Sequence, residues 1–134
     1  MWPIEDTVQR LVEIHSRSIQ KFGGHPGSGD AECLERSVGT AVNSSLYRSS
    51  TLEPDPFQVA CFLLRNIATN HCFPDGNKRT AWWGTLFVLE EHAKVSVAAS
   101  ADDAYDFVIA VTCGNLTISE IVDWFAQRLC APPD

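Results

Sequence analysis

Nine consecutive residues, Ala81 to Leu89, read AWWGTLFVL and carry no charge. A helix that is apolar all round is normally surrounded by others. The run therefore predicts a central helix that starts at Asp75 or Gly76 and ends near His92. Gly84 in its middle costs about 1 kcal/mol relative to alanine, and close approach by a neighbouring helix would compensate. The charges stand at the two ends, Glu90 and Glu91 at one, Asp75, Lys78 and Arg79 at the other.

Most other apolar positions also recur at helical spacing, with little strand-like alternation. Ile4, Val8, Leu11, Val12, Ile19 and Phe22 stripe a first helix, stopped at KFGGHPGSGD by four glycines and a proline. A second helix runs from about Asp30 with Leu34, Val38, Ala41, Val42 and Leu46 inward. Asp55 followed by Pro56 reads as cap and first residue of a third, carrying Phe57, Ala60, Cys61, Leu64, Ile67 and Ala68. KVSVAAS suits a short extended piece. Ser100 with Asp103, and Thr117 with Glu120, have the capping-box spacing of two more helices. These carry Tyr105, Phe107, Val108 and Val111, then Ile121, Val122, Trp124, Phe125 and Leu129. The expectation is an all-α, single domain over residues 1–134, a compact bundle of about six helices around a buried central one.

Composition bounds the function. A chain of 134 residues, 45% hydrophobic and 20% charged, is ordinary for a globular protein and can bury a core without a metal or disulfide. No apolar run reaches the ~18 residues that span a bilayer, and MWPIEDTVQR, with acidic residues and no apolar core, does not read as a signal peptide. A cytoplasmic location, away from membranes, is the expectation. The net charge of -7 argues against direct binding of nucleic acid. Five cysteines (Cys33, Cys61, Cys72, Cys113 and Cys130), an odd number without C-x-x-C spacing, suggest neither a disulfide framework nor a zinc site. Small buried side chains in a reducing compartment are their expected role.

The N-terminal end of the apolar helix is where the chemistry concentrates. A helix start presents unpaired N–H groups and the positive end of the dipole. Gly76 allows an anion close approach to that backbone. Arg79 adds a fork suited to phosphate oxygens and Lys78 a point charge. Asp75, among cations, is expected to be ionised and able to hold Mg2+, which takes one or two carboxylates and fills its other positions with phosphates and water. His71, in the loop ahead, can act as general base at neutral pH. Each residue also has a plainer role, since Asp stabilises helix starts by itself and Lys78 and Arg79 can simply be solvated. As a set they point to phosphate chemistry, because cations in the first turn oppose the dipole and cost a few tenths of a kcal/mol.

HCFPDGNKR, His71 to Arg79, resembles the signature of the Fic/Doc superfamily, H-x-F-x-D/N-A/G-N-K/G-R. Lysine at position 78, where nucleotidyl-transferring members have glycine, marks the Doc (death-on-curing) branch. IHSRSIQKFGGHPGSGDAECLERSV resembles the Doc first helix and glycine-rich flap, so the likeness covers nearly the whole chain. The resemblance implies that His71 deprotonates a target hydroxyl, Phe73 anchors the loop, and Asp75 holds magnesium. It further implies that Gly76 and Asn77 line an anion hole and that Arg79 binds a nucleotide phosphate. A second arginine, three positions on in nucleotidyl-transferring relatives, is replaced by Trp82, and Lys78 would crowd the second phosphate pocket. Both departures fit Doc-type kinase chemistry, in which the γ-phosphate of ATP or another nucleoside triphosphate goes to a threonine of elongation factor Tu and halts translation. The family also implies a toxin–antitoxin pair with a Phd-like antitoxin acting in trans. Ser28 with Glu32, and Ser49 with Glu53, have the spacing of the inhibitory S/T-x-x-x-E-G/N motif but not its last residue.

Transfer of AMP is the alternative chemistry, and an inert binding module of the same fold the alternative class. Of the remaining residues, His15 reads as local packing or surface, and His25 as a loop residue within reach of a substrate or nucleotide. Cys72, beside His71 near a helix start, invites a thiol-nucleophile reading, but no partner acid is evident. Trp82, Trp83, Trp124 and Phe125 read as core.

Overall fold

A computed structural model describes residues 2–27 and 29–130, so the Ser28 of the first inhibitory-motif spacing lies outside the described residues. Six helices follow in order: α1 (Ile4–Phe22), α2 (Ala31–Ser49), α3 (Pro56–Asn70), α4 (Asn77–Val88), α5 (Ala101–Thr112) and α6 (Ile118–Ala126). The all-α bundle is as expected. No helix among the described residues is long and apolar enough to cross a membrane.

The helix ends follow local chemistry. The Asp30 carboxylate accepts from Cys33 N–H at 3.2 Å and caps α2, and Asp55 accepts from Phe57 N–H at 3.0 Å and caps α3. Thr117 and Glu120 form a reciprocal capping box at α6. At α5 only half of that motif exists: Ser100 accepts from Asp103 N–H, and the shorter aspartate does not return the bond.

The central helix is α3, which corrects the assignment of that role to α4. Every residue from Val59 to Leu64 in α3 is buried, and it packs against α2, α4, α5 and α6. In α4 the buried residues are Thr80, Ala81, Gly84, Thr85 and Val88, the stripe of one face. Trp83 is 48% exposed, so it is not core. Lack of charge in α4 thus reflects a groove on one side as much as a core on the other. Gly84 does mark a close approach: a Cβ there would stand 2.5 Å from Leu11 Cδ2 on α1.

Beyond α4 the chain makes one π-helical turn, Leu89–Ala93, then a two-residue strand β1, Ser96–Val97. Its antiparallel partner is β2, Leu129–Cys130, with Ser96 opposite Cys130. Leu129 therefore leaves the α6 stripe, which ends at Ala126, for a strand that no periodicity announced. Phe22 also departs from its stripe and is 56% exposed at the end of α1.

The cysteines require a further correction. Cys33 and Cys72 are joined as a disulfide with Cα atoms 5.4 Å apart, tying the first turn of α2 to the loop that precedes α4. Beside it, Asp30 N–H donates to the Cys72 carbonyl at 2.9 Å. Cys61, Cys113 and Cys130 are free. Burial pushes the Cys61 thiol up to about 12, with a smaller contribution from the Asp55 charge, so it is inert at neutral pH.

Closing a loop between residues 39 apart in sequence is worth about 4 kcal/mol in the chain-entropy account of disulfides. Reduction, or Cys33→Ser, should therefore lower the denaturation midpoint substantially, while Cys113→Ser should not. Equal urea melts with and without dithiothreitol would mean that the tie contributes nothing to the fold.

Candidate functional site

The loop from His71 to Gly76 joins two helices that pack side by side, and its turn is fixed by side chains that reach back onto its own backbone. Asn77 does most of this. Its Oδ1 accepts from Phe73 N–H at 3.0 Å, and its Nδ2 donates to the Phe73 carbonyl at 2.8 Å. The Phe73 ring, 2% exposed, is driven inward and stacks on His15 of α1, centroids 3.9 Å apart and planes 7° apart. Phe73 thus anchors the loop as expected. His15 is also buried, at 2%, and its Nε2–H donates to the Asp75 carbonyl at 2.7 Å. A surface place for His15 is ruled out. Its position four residues after Leu11 on the buried face was the available signal.

His71 ends α3 in the left-handed conformation, φ 54°, which histidine adopts more readily than most residues but at some cost. That twist leaves its side chain exposed at the mouth of a groove. The groove has a volume of about 960 Å³. Residues 75–79 and the faces of Trp82 and Trp83 form one wall, and Val97, Ala101, Tyr105 and Val108 contribute to the other. A space of this size, mostly apolar with a run of polar and charged groups at residues 75–79, has the make-up of a small-molecule site.

At that polar end α4 begins. Gly76 precedes it with φ +79°, where any side chain would be strained, and its Cα faces His15 and Ile19. Among the described residues, no acceptor pairs with the backbone N–H of Asn77, Lys78 or Arg79. Three donors and the positive dipole end are therefore free for an anion. Gly76 N–H is satisfied by the Asp75 carboxylate, Oδ1 accepting at 2.8 Å. Lys78 is exposed on the groove wall.

The glycine-rich segment lies directly on this loop. Asp75 Oδ2 accepts from His25 N–H at 3.1 Å, and Arg79 Nη2–H donates to the Gly23 carbonyl at 2.9 Å. The Arg79 guanidinium also stands 5.5 Å from the Phe22 ring centroid. A Cβ on Gly24 would meet Asp75 Oδ2 at 2.6 Å, one on Gly27 the Pro74 Cγ at 2.7 Å, and one on Gly29 the Phe73 ring at 2.7 Å. These glycines do more than end α1. They let the chain pass within van der Waals contact of the motif. His25 contributes its backbone, while its Nδ1 accepts from Gly27 N–H.

Backbone hydrogen bonds from His25 and Gly76, helped by the Arg79 charge, hold the Asp75 carboxyl below its usual range. It is ionised at neutral pH. One such carboxylate fits Mg2+ only as part of a magnesium–nucleotide complex, because no group of three or more His, Cys, Asp or Glu gathers among the described residues. Cys72, bound to Cys33, has no thiolate to offer, which removes the thiol-nucleophile reading.

The family model described as the Fic/DOC family matches residues 5–89, more than half the chain. The chain belongs to the Fic/DOC family. The matched region runs from α1 to the end of α4, so it contains the glycine-rich segment, the disulfide and the His71–Arg79 loop. No curated protein matches the chain. Members of the Fic/DOC family generally transfer phosphate or nucleotide groups to proteins.

Two predictions follow the geometry of the Fic/DOC loop. Gly24→Ala combines a disfavoured φ of +121° with the clash on Asp75, and should weaken the loop-to-motif contact by about 1–3 kcal/mol. Hydrogen exchange should show faster exchange at His25 with the α3 core unchanged. Because the folded Asp75 carboxyl is held low, its contribution is fully present above the unfolded value and disappears as pH falls through the folded one. The Asp75 carboxyl and the His25 amide should therefore shift together in an NMR titration, with a midpoint below the ordinary aspartate range.

Proposed function

We propose that this protein is a Doc-type phosphotransferase that moves the γ-phosphate of ATP, or another nucleoside triphosphate, to a protein hydroxyl. The observation that carries the reading is the juxtaposition of His71 with the open N-terminus of α4 on one groove. A base and an anion cradle share one mouth there. Support for phosphate over AMP transfer comes from two groove residues: Lys78 stands where nucleotidyl-transferring relatives have glycine, and Trp82 where they have a second arginine. A pose that places the α-phosphate for attack would lack that arginine and meet the lysine.

In this reading the His71 imidazole takes the proton of the target hydroxyl. The freed oxygen attacks the γ-phosphorus, an O–P bond forms, and the bond to the β-phosphate oxygen breaks, releasing the nucleoside diphosphate. The free N–H groups of α4 bind phosphate oxygens in fixed orientation, so they need no rearrangement as charge develops. Arg79 joins them by exchanging the Gly23 carbonyl for a phosphate oxygen. Asp75 would hold magnesium brought with the nucleotide, an ion that neutralises phosphate charge. The resemblance to Doc proteins supports a threonine of elongation factor Tu as target, and toxin action in the cytoplasm restrained by a Phd-like antitoxin. An inhibitory segment in trans fits a chain whose own candidate motifs lack their final residue.

Intact-mass spectrometry of elongation factor Tu after incubation with ATP, magnesium and this protein tests the reading. The expected product carries one added phosphate, whereas added AMP would establish the alternative chemistry. His71→Ala should slow transfer by about 10²–10⁴-fold with nucleotide binding nearly intact, and should relieve growth arrest in a bacterial host. Lys78→Gly should lower phosphate transfer. Equal rates from wild type and Lys78→Gly would remove the reason for preferring phosphate.

A further inference from the structure

The peptide bond between Asp75 and Gly76 is not held by its own local preferences. Gly76 populates positive and negative φ with similar ease, so the plane before it can rotate at little cost. Which way that plane faces matters, because a trans peptide points its C=O and N–H in opposite directions. With the Asp75 carbonyl inward, the Gly76 N–H faces out to the Asp75 carboxylate and the start of α4. With the carbonyl outward, an oxygen would stand where an anion is to bind.

Two side chains bear on the choice: the Asp75 carboxylate accepts from the Gly76 N–H at 2.8 Å, and a residue from outside the loop holds the carbonyl. His15, buried on α1 and 60 residues away in sequence, donates Nε2–H to the Asp75 carbonyl at 2.7 Å. We propose that His15 is a positioning residue for the anion site, orienting the Asp75–Gly76 peptide so that Gly76 N–H and the Asp75 carboxylate face the groove. The proposal rests on the phosphate-transfer reading for its purpose, and on this contact for its geometry.

Three observations make histidine the residue suited to the task. A carbonyl only accepts, so Nε2 must carry the proton, and an apolar residue at 15 would remove the partner of a part-buried acceptor. The ring is clamped flat on Phe73, which the Asn77 amide fixes in turn, so the donor is aimed rather than free to rotate. The side chain also lies 3.4 Å from where a Cβ on Gly76 would be, so the ring packs directly on the swivelling residue. Packing alone would need only a ring of this size.

That difference is the test. His15→Phe keeps the stack and removes the donor. His15→Gln loses the stack and keeps an amide N–H of similar reach. Residues that orient a metal or anion ligand typically account for about 10–100-fold in affinity or activity. We expect His15→Phe to weaken Mg·ATP binding to the full chain by about that factor, and His15→Gln to recover most of it. In nucleotide-free protein, hydrogen exchange at Gly76 and His25 should speed up in His15→Phe and return toward wild type in His15→Gln.

Binding and exchange that are unaffected in His15→Phe, or worse in His15→Gln than in His15→Phe, would overturn the proposal. Should neither variant fold, two-bond ¹H–¹⁵N spectra of the wild type decide: an Nε2–H tautomer supports the proposal and an Nδ1–H tautomer sinks it. Absence of Mg·ATP binding by wild type would overturn the phosphate-transfer reading instead, while the exchange and tautomer results still judge the role of His15.

Discussion

The two hydrogen bonds between the Asn77 amide and the Phe73 backbone organise everything around them. They close a tight turn at the point where α4 must begin, by satisfying both main-chain groups of a residue that is itself buried. Once Phe73 is fixed, its ring offers His15 a flat partner, and His15 in turn reaches the Asp75 carbonyl. Pro74, Asp75 and Gly76 are then confined to one path between two pinned ends. The disulfide holds the same loop from the other side, through Cys72, so His71 is set between the end of α3 and a covalent anchor. If His71 is the base proposed above, this matters, since an ångström of displacement can cost about a hundredfold in rate. Here exposure and rigidity coexist.

Placement of the cations follows from the same frame. Lysine and arginine in the first turn of α4 oppose the helix dipole. Arg79 offsets part of that cost by donating to the Gly23 carbonyl and lying over Phe22, contacts that a reading of the sequence as an isolated anion site overlooks. An anion that enters must therefore compete with a carbonyl for Arg79, but finds the N–H groups of residues 77–79 free. The backbone donors are ready while the side-chain donor is already engaged. Orientation of a bound phosphate would then be set first by the helix start, whose geometry cannot vary, and completed by Arg79.

The sequence was most informative where structure is local. Asp30, Asp55–Pro56 and Thr117–Glu120 form caps within four residues of themselves, and their pattern is visible without any knowledge of the fold. The same holds for the motif, because nine adjacent residues carry its exposed histidine, its anchor and its helix start. What remained hidden depends on long-range contact. Cys33 and Cys72 meet only because α2 starts beside the motif loop. His15 lies on a buried stripe, where packing and hydrogen bonding look alike in one dimension. Gly24, Gly27 and Gly29 ended a helix in the sequence reading, and only contact with Asp75, Pro74 and Phe73 shows why side chains are excluded there. The centrality of α3 over α4 is hidden for a related reason: Trp83 and Leu86 line a groove while Trp82 both lines it and packs on Phe125, and hydropathy does not separate a groove wall from a core.

The groove wall also bears on what the site can hold. Trp83 and Tyr105 remain 48% and 66% exposed and face a space that continues well beyond the charged end. A phosphate alone would occupy only the mouth, where the N–H groups, Lys78 and Arg79 gather. Aromatic walls stabilise flat or apolar partners by contact area, and polar donors at one end fix which way such a partner lies. A ligand with an anionic tail and a planar or apolar body satisfies both regions at once. The groove is therefore asymmetric, with charged and backbone donors at the start of α4 and aromatic surface along Trp82, Trp83 and Tyr105.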